Sequence, residues 1–329
     1  MMRDGFNRAI DYLRLSVTDR CNLRCVYCLP ESAPRFAPSA DLLRDDEIVV
    51  LAGAFARLGV SHIRITGGEP LVRPGLPALV RRLSSIPGIS DLSLSTNGVL
   101  LAGQARELKA AGLSRVNISL DTLDAARFAR IARFGSLRGV LEGIESALEE
   151  GLAPVKLNVV VARGMNDDEL GAFAALTDKK PLHVRFIELM PMGETAFFSA
   201  QRRVPLGEML AAAAPLEPVA AHERPLGHGP ARYYRRPGAA GTIGFISALS
   251  CGFCDRCNRV RLSSSGTLIA CLDGEEGVDL RAPLREGAGA DKLMALIRGA
   301  VRAKPESHDM AARLTAPDAS PRVMCQIGG

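Results

Sequence analysis

Three thiols within eight residues, Cys21-Asn22-Leu23-Arg24-Cys25-Val26-Tyr27-Cys28, are the groups of this chain best suited to chemistry. The spacing C-x3-C-x2-C can hold three corners of an iron–sulfur cube, and with no fourth cysteine nearby one iron is left open for a further ligand. Zinc is the weaker reading, because structural zinc sites close four positions, the local count stops at three, and the nearest histidine is His62. The run follows the apolar-alternating stretch Leu13-Arg14-Leu15-Ser16-Val17 and precedes Leu29-Pro30. It therefore reads as a tight loop leaving a strand, where catalytic groups tend to lie.

A second group, Cys254-Asp255-Arg256-Cys257 followed by Cys271, has the spacing C-x2-C-x13-C, with Cys251 three residues upstream. Four cysteines would close a zinc site and three would hold a second cluster with an open iron; the residues alone leave both readings open. Two open clusters would be expected to face each other across one barrel mouth. Arg259 and Arg261 are separated by one residue, so an extended segment points both to the same face. There they clamp a phosphate with forked, charge-assisted hydrogen bonds, or else form an exposed basic surface. Lys156 lies inside the apolar run Val155–Val161 and needs an anionic partner, since an unpaired buried charge is costly. Gly67-Gly68 either lets a ligand approach the backbone or simply makes a strand-to-helix turn.

These groups need a frame. Short β-like runs, each followed by a helical pattern, recur at Leu13–Val17, His62–Thr66, Leu92–Ser95, Val116–Leu120, Val155–Val161 and His183–Ile187. Asp45 to Leu58 shows the helix logic, with acids at its start, Ile48, Leu51, Ala52 and Phe55 on one face, and Gly59 as a stop. Six strand–helix units predict a parallel α/β sheet with right-handed crossovers. Chemical residues stand at the end of nearly every strand: the cysteine loop, Thr66 to Pro70, Ser95 to Gly98, Ser119 with Asp121, and Glu188 to Met190. That placement favours a partial (βα)6 TIM-like barrel over a doubly wound sheet. After about Ala211 the composition turns to Ala, Pro, Gly and Arg, so the expected division is a barrel over residues 1–212 and a C-terminal region over 213–329. That region should hold a strand at Thr242–Ile246, a hairpin around Ser263-Ser264-Ser265-Gly266 and a helix from about Ala290 to Arg302.

With 329 residues, 47% of them hydrophobic, the chain can bury a full core. It has no apolar run near twenty residues and no signal-peptide pattern, so the expectation is a cytoplasmic protein that meets no membrane. Eight cysteines then point to metal or redox chemistry rather than disulfides. A net charge of +5 without basic blocks gives no reason to expect nucleic-acid binding. Asn117-Ile118-Ser119 matches a glycosylation sequon but lies in an apolar strand-like run, and is set aside.

The first loop, with Tyr27 just before its third cysteine, resembles the radical S-adenosylmethionine superfamily. Phe253 to Leu262, then Gly266-Thr267-Leu268 and Cys271-Leu272, resemble the carboxyl-terminal motif of the GTP 3',8-cyclase family of molybdenum-cofactor biosynthesis. Arg14 to Cys21, Arg64 to Leu71 and the terminal Gly328-Gly329 are similar to that family as well. The resemblance implies two [4Fe-4S] clusters, one on Cys21, Cys25 and Cys28 and the other on Cys254, Cys257 and Cys271. It implies S-adenosylmethionine contacts at Tyr27, Gly68, Ser119 and Met190, and GTP contacts at Arg14, Arg64, Ser95, Lys156, Arg259, Val260 and Arg261. Cys21, Cys25, Cys28, Arg259 and Arg261 would form the catalytic set. In the implied reaction an electron from a flavodoxin- or ferredoxin-like donor reaches the first cluster, and cleavage of S-adenosylmethionine yields a 5'-deoxyadenosyl radical. That radical removes the C3' hydrogen of GTP before C3' closes onto C8, and a cyclic pyranopterin monophosphate synthase would act next. The Gly328-Gly329 tail would reach into the site. Cys251 and Cys325 have no implied role and are expected to be free thiols, and a homodimer is the candidate assembly. Another auxiliary-cluster enzyme, such as a peptide-modifying maturase, and a non-catalytic metal-binding module are the competing readings.

Overall fold

The computed structural model describes residues 1–31, 36–192, 197–274, 276–310 and 325. Its parallel strands are β1 (Tyr12–Ser16), β2 (His62–Thr66), β3 (Asp91–Thr96), β4 (Arg115–Ser119), β5 (Val155–Val161), β6 (Leu182–Glu188), β7 (Thr242–Ile246) and β8 (Arg259–Leu262). They lie side by side in the order β8-β1-β2-β3-β4-β5-β6-β7, every neighbouring pair parallel. The six expected strands are β1 to β6, each within one residue of its expected bounds. Residues beyond 212 add β7 and β8, one at each end of the parallel array.

Period-two alternation decides which face each residue takes. Leu13 and Leu15, Ile63 and Ile65, Val116 and Ile118, Leu157 and Val159, Val184 and Phe186, and Val260 and Leu262 are buried in the hydrophobic core beneath the helices. The residues between them, including Arg14, Arg64, Asn117, Lys156, Asn158, Arg185 and Arg261, take the other face. Side chains from all eight strands surround one cavity, so the sheet curves into a barrel. The barrel is partial: β7 and β8 each pair outward with an antiparallel neighbour, Arg232–Arg235 beside β7 and Thr267–Ile269 beside β8. The expected hairpin is the β8 connection, with Arg261 opposite Ile269 and Gly266 at φ +87° in its turn.

The helices follow their sequence signals. Helix α1 (Asp45–Arg57) starts with three acids that suit its positive end, and the Glu47 carboxylate accepts the Arg44 N–H at 2.8 Å. It stops at Gly59, whose φ is +93°. Helix α2 (Ala125–Ala132) is capped by Asp124, helix α3 (Leu137–Glu149) by Ser136. Helix α4 (Ala290–Arg302) packs on α1, and Arg285 binds Glu47 at 2.8 Å, fastening the C-terminal region to the first βα unit. Among the described residues, no helix is long and apolar enough to cross a membrane.

Candidate functional site

The barrel encloses a cavity of about 320 Å3. At its upper end, β1 runs out into the loop holding Cys21, Cys25 and Cys28, which all line the cavity. Cys28 and Leu29 donate backbone N–H bonds to the Cys25 carbonyl at 2.9 and 3.0 Å, closing the loop on itself. The end of α2 braces it from outside, with Arg24 N–H bonded to Ala132 and Val26 N–H to Ile131, both at 3.0 Å. Gly67 and Gly68 brace it from inside. A Cβ on Gly67 would stand 2.3 Å from the Thr18 carbonyl oxygen, and one on Gly68 2.4 Å from that of Arg20. The pair is glycine because the β2 turn packs directly on the backbone that leads into the cysteine loop, a cause distinct from the ligand approach considered above.

Two buried carboxylates complete this end. Glu69 accepts hydrogen bonds from Thr96 Oγ1 at 2.7 Å, Asn97 N at 2.6 Å and Leu71 N at 3.0 Å, joining the ends of β2 and β3. Burial pushes its pKa up to about 7 despite those donors. Asp121 accepts the Tyr27 hydroxyl at 2.5 Å and the Val160 N–H at 2.8 Å, and burial raises it to about 6. Tyr27 is thereby held against the wall after β4. Gly68, Ser119 and Met190 line the same cavity. Glu188, expected among the strand-end groups, turns instead to Leu249 N, Ser250 N and Arg203 and serves as a brace.

The second cysteine group lies at the opposite end. Parallel pairing sets Arg259 beside Tyr12 and Leu262 beside Leu15, so Cys254 and Cys257 stand at the amino end of β1 while Cys21 follows its carboxyl end. Cys271, just past Ile269 on the paired hairpin strand, returns to that same lower end. The expectation that both groups face each other across the mouth is therefore corrected: they are separated along the strand axis, by roughly 15–20 Å at ~3.3 Å per residue. Cys254, Cys257 and Cys271 line the cavity, whereas Cys251 is outside its lining. Arg8 holds the loop in place, donating to the Cys254 carbonyl at 2.6 Å while paired with Asp4.

Cations fill the space between. Arg14, Arg64, Arg185, Arg259 and Arg261 line the cavity with Ser95, and Arg115 and Lys156 stand in the adjoining interior layer. Burial lowers Arg64 and Arg261 to about 10, and burial with the nearby Arg261, Arg64 and Arg259 holds Arg14 well below the ordinary arginine range. Lys156, 1% exposed, falls to about 5 through burial and the repulsion of Arg185, Arg115 and Arg64. Arg115 is paired with Asp91 through one nitrogen, yet among the described residues its Nε and Nη1, like Nε of Arg185, find no hydrogen-bond acceptor. Buried donors without acceptors around a cationic hollow describe a receptacle for a polyanion.

Two expected contacts take other places. Val260 is fully buried with its side chain in the outer core, so only its backbone could meet a substrate. Lys156 is absent from the cavity wall and donates to the Leu226 carbonyl, in the segment that continues to Gly229 and Pro230, which do line the cavity. Sequence reasoning missed Arg115, Arg185, Asn117 and Asp91. Their signal is polar residues at alternate positions of otherwise apolar strands, as in Arg115-Val116-Asn117-Ile118-Ser119. Gly328-Gly329 lies outside the described residues.

The donor sets suit iron–sulfur clusters. Burial raises the thiol of Cys21 to about 11 and those of Cys25 and Cys28 further, so these groups become thiolates only where a cation compensates. At the lower end burial would also raise Cys257, but Arg259 and Lys304 bring it down to about 7. Among the described residues no three Cys, His, Asp or Glu side chains converge as one metal ion requires. A cube's thiolates bind different irons and stand apart.

A partial βα barrel with a three-thiol loop after its first strand is the architecture of a radical S-adenosylmethionine protein, and the model of that superfamily matches residues 15–177. The Molybdenum Cofactor Synthesis C model matches residues 182–310. The chain is 55% identical to the GTP 3',8-cyclase of Pelotomaculum thermopropionicum and 47% identical to that of Moorella thermoacetica, each alignment covering 100% of both chains. It belongs to the GTP 3',8-cyclase family. In fold alone it is similar to Streptococcus suis SuiB bound to its precursor peptide SuiA, at TM-score 0.57 and 14% identity over 98% of this chain and 77% of that one.

Proposed function

We propose that this protein is a radical S-adenosylmethionine enzyme that converts GTP to (8S)-3',8-cyclo-7,8-dihydroguanosine 5'-triphosphate in molybdenum-cofactor biosynthesis. The observation that carries the reading is the single cavity with a thiol triad at each end and arginines between, lying in a chain of this family. Bound at the upper end, a [4Fe-4S] cluster and S-adenosylmethionine would supply the radical chemistry that removes the C3' hydrogen of GTP.

The chain's own residues bind, orient and enclose. Cys21, Cys25 and Cys28 would hold the first cluster, and Tyr27, Gly68, Ser119 and Met190 would contact S-adenosylmethionine in the cavity they line. Asp121 fixes the Tyr27 hydroxyl, and Glu69 fixes the turn beneath it. Arg14, Arg64, Ser95, Arg259 and Arg261 would grip GTP, with Arg185 as a further cation, because forked guanidinium donors match phosphate oxygens. Cys254, Cys257 and Cys271 would hold a second [4Fe-4S] cluster, which would supply iron coordination to the substrate. Three cavity-lining cysteines, with the fourth outside, favour this over a closed zinc site. A small low-potential electron-transfer protein would serve as donor, and the product would pass to a cyclic pyranopterin monophosphate synthase.

The test is anaerobic reconstitution, iron counting, and incubation with GTP, S-adenosylmethionine and dithionite. Two clusters, 5'-deoxyadenosine and a GTP-derived cyclic nucleotide are expected, and Cys28→Ser should abolish both products. Formation of 5'-deoxyadenosine with no cyclic nucleotide would overturn the substrate, and tightly bound zinc at the lower triad would overturn the second cluster.

A further inference from the structure

Cys325, four residues from the C-terminus, is distant in sequence from every other cysteine, yet it is buried against the first cysteine loop. It is 4% exposed, packs with Leu29 against Cys21 and Cys28, and lines the same cavity as Cys21, Cys25 and Cys28. The upper end of the barrel thus gathers four thiols where the loop alone supplies three. Three thiolates leave one iron of a cube without a protein ligand, and a thiol is a strong ligand for iron.

We propose that Cys325 is a displaceable fourth ligand of the first cluster, occupying the open iron until S-adenosylmethionine arrives. This rests on the reading of Cys21, Cys25 and Cys28 as cluster ligands. On binding, the Cys325 thiol releases its proton to solvent as the sulfur–iron bond forms. The amino and carboxylate groups of S-adenosylmethionine then take that position, and Cys325 regains a proton; no electron moves. The arrangement would cap the reactive iron of a resting cluster until the cofactor itself displaces Cys325.

The experiment compares full-length protein with Cys325→Ser and Cys325→Ala, each reconstituted with 57Fe and reduced by dithionite, by Mössbauer and electron paramagnetic resonance spectroscopy before and after S-adenosylmethionine. The second iron site is common to all three, so difference spectra report the first. Expected are equal iron content, a distinct signal for wild type before S-adenosylmethionine, and coincident spectra after it. If Cys325 occupies the iron in 75–90% of molecules, its removal tightens S-adenosylmethionine binding about 4–10-fold, because affinity scales with the competent fraction. Superimposable spectra without S-adenosylmethionine, with unchanged affinity, would show that Cys325 merely packs beside the loop. Loss of first-cluster iron in both variants would make it a permanent ligand and equally overturn displacement. Failure of wild type to load iron at Cys21, Cys25 and Cys28 would instead refute the functional reading beneath the proposal.

Discussion

GTP binding should draw a proton onto the protein, and Lys156 is where it should go. In the free protein burial and the surrounding Arg185, Arg115 and Arg64 hold this amine at about 5. An ordinary lysine titrates near 10.4, so at pH 8.5 the unfolded chain carries this charge whereas the folded protein keeps the amine neutral. The depressed value means that stability from keeping Lys156 neutral is present above its unfolded pKa and is lost as pH falls through about 5. A triphosphate that reached past the cavity wall to this layer would reverse the balance: the amine would exchange the Leu226 carbonyl for an anion and become charged. Uptake should approach one proton per GTP, so the association constant should fall about tenfold, or ~1.4 kcal/mol, for each pH unit between 7.5 and 9. The assay is anaerobic titration calorimetry without S-adenosylmethionine, at pH 8.5, in buffers of different ionisation enthalpy. At that pH neither histidines nor the terminal phosphate, with pKa values near 6.5 and about 6, contribute much. The slope of heat against buffer enthalpy should be near one and fall to near zero in Lys156→Met. A zero slope in wild type, with GTP bound, would refute the argument and leave Lys156 as a neutral prop for the Leu226 segment.

Two further outcomes follow from the same geometry. Arg259→Ala should weaken GTP binding by ~1.5–3 kcal/mol, the usual worth of a hydrogen bond to a charged group, with iron at the upper loop unchanged; equal affinity would remove Arg259 from the site. Glu69 has a folded pKa of about 7 against an ordinary 4.5, so its contribution to stability is complete below 4.5 and is lost as pH rises through 7. Urea unfolding should therefore show wild type losing stability from pH 6 to 8 by at most ~1.4 kcal/mol per unit, and Glu69→Gln should flatten that slope; parallel curves would place the pH dependence elsewhere.

Much of this site was legible because its signals are local. Thiol spacing, the apolar alternation of β1 to β6 and the stop at Gly59 each sit within a few consecutive residues. Lys156 was noticeable because a cation interrupts an apolar run. Arg115 and Arg185 were not, since each is only one polar residue among alternating neighbours. They become part of a site when curvature turns the inner faces of β4 and β6 toward those of β1, β2 and β8. The lower position of the second triad was hidden for a related reason. It depends on the parallel register of Arg259 with Tyr12, which joins residues 247 positions apart in sequence. Cys325 was unassignable because its neighbours are in space alone.

The polar interior has a physical consequence for how the two triads must be read. Closed βα barrels fill their centre with branched aliphatic side chains, whereas this one gives that volume to arginines at a cost in desolvation and mutual repulsion. Such a hollow makes sense if an anion completes it, and the strand axis fixes where the anion's ends must lie. A nucleotide whose phosphates met Arg14, Arg64, Arg259 and Arg261 would lie between the upper thiols and the lower ones, in the cavity that both line. On the proposed function, the lower triad would then act on the substrate's other end rather than in the path of the incoming electron. Its three cavity-lining cysteines would leave one corner of a cluster for a ligand, which is what that task would require.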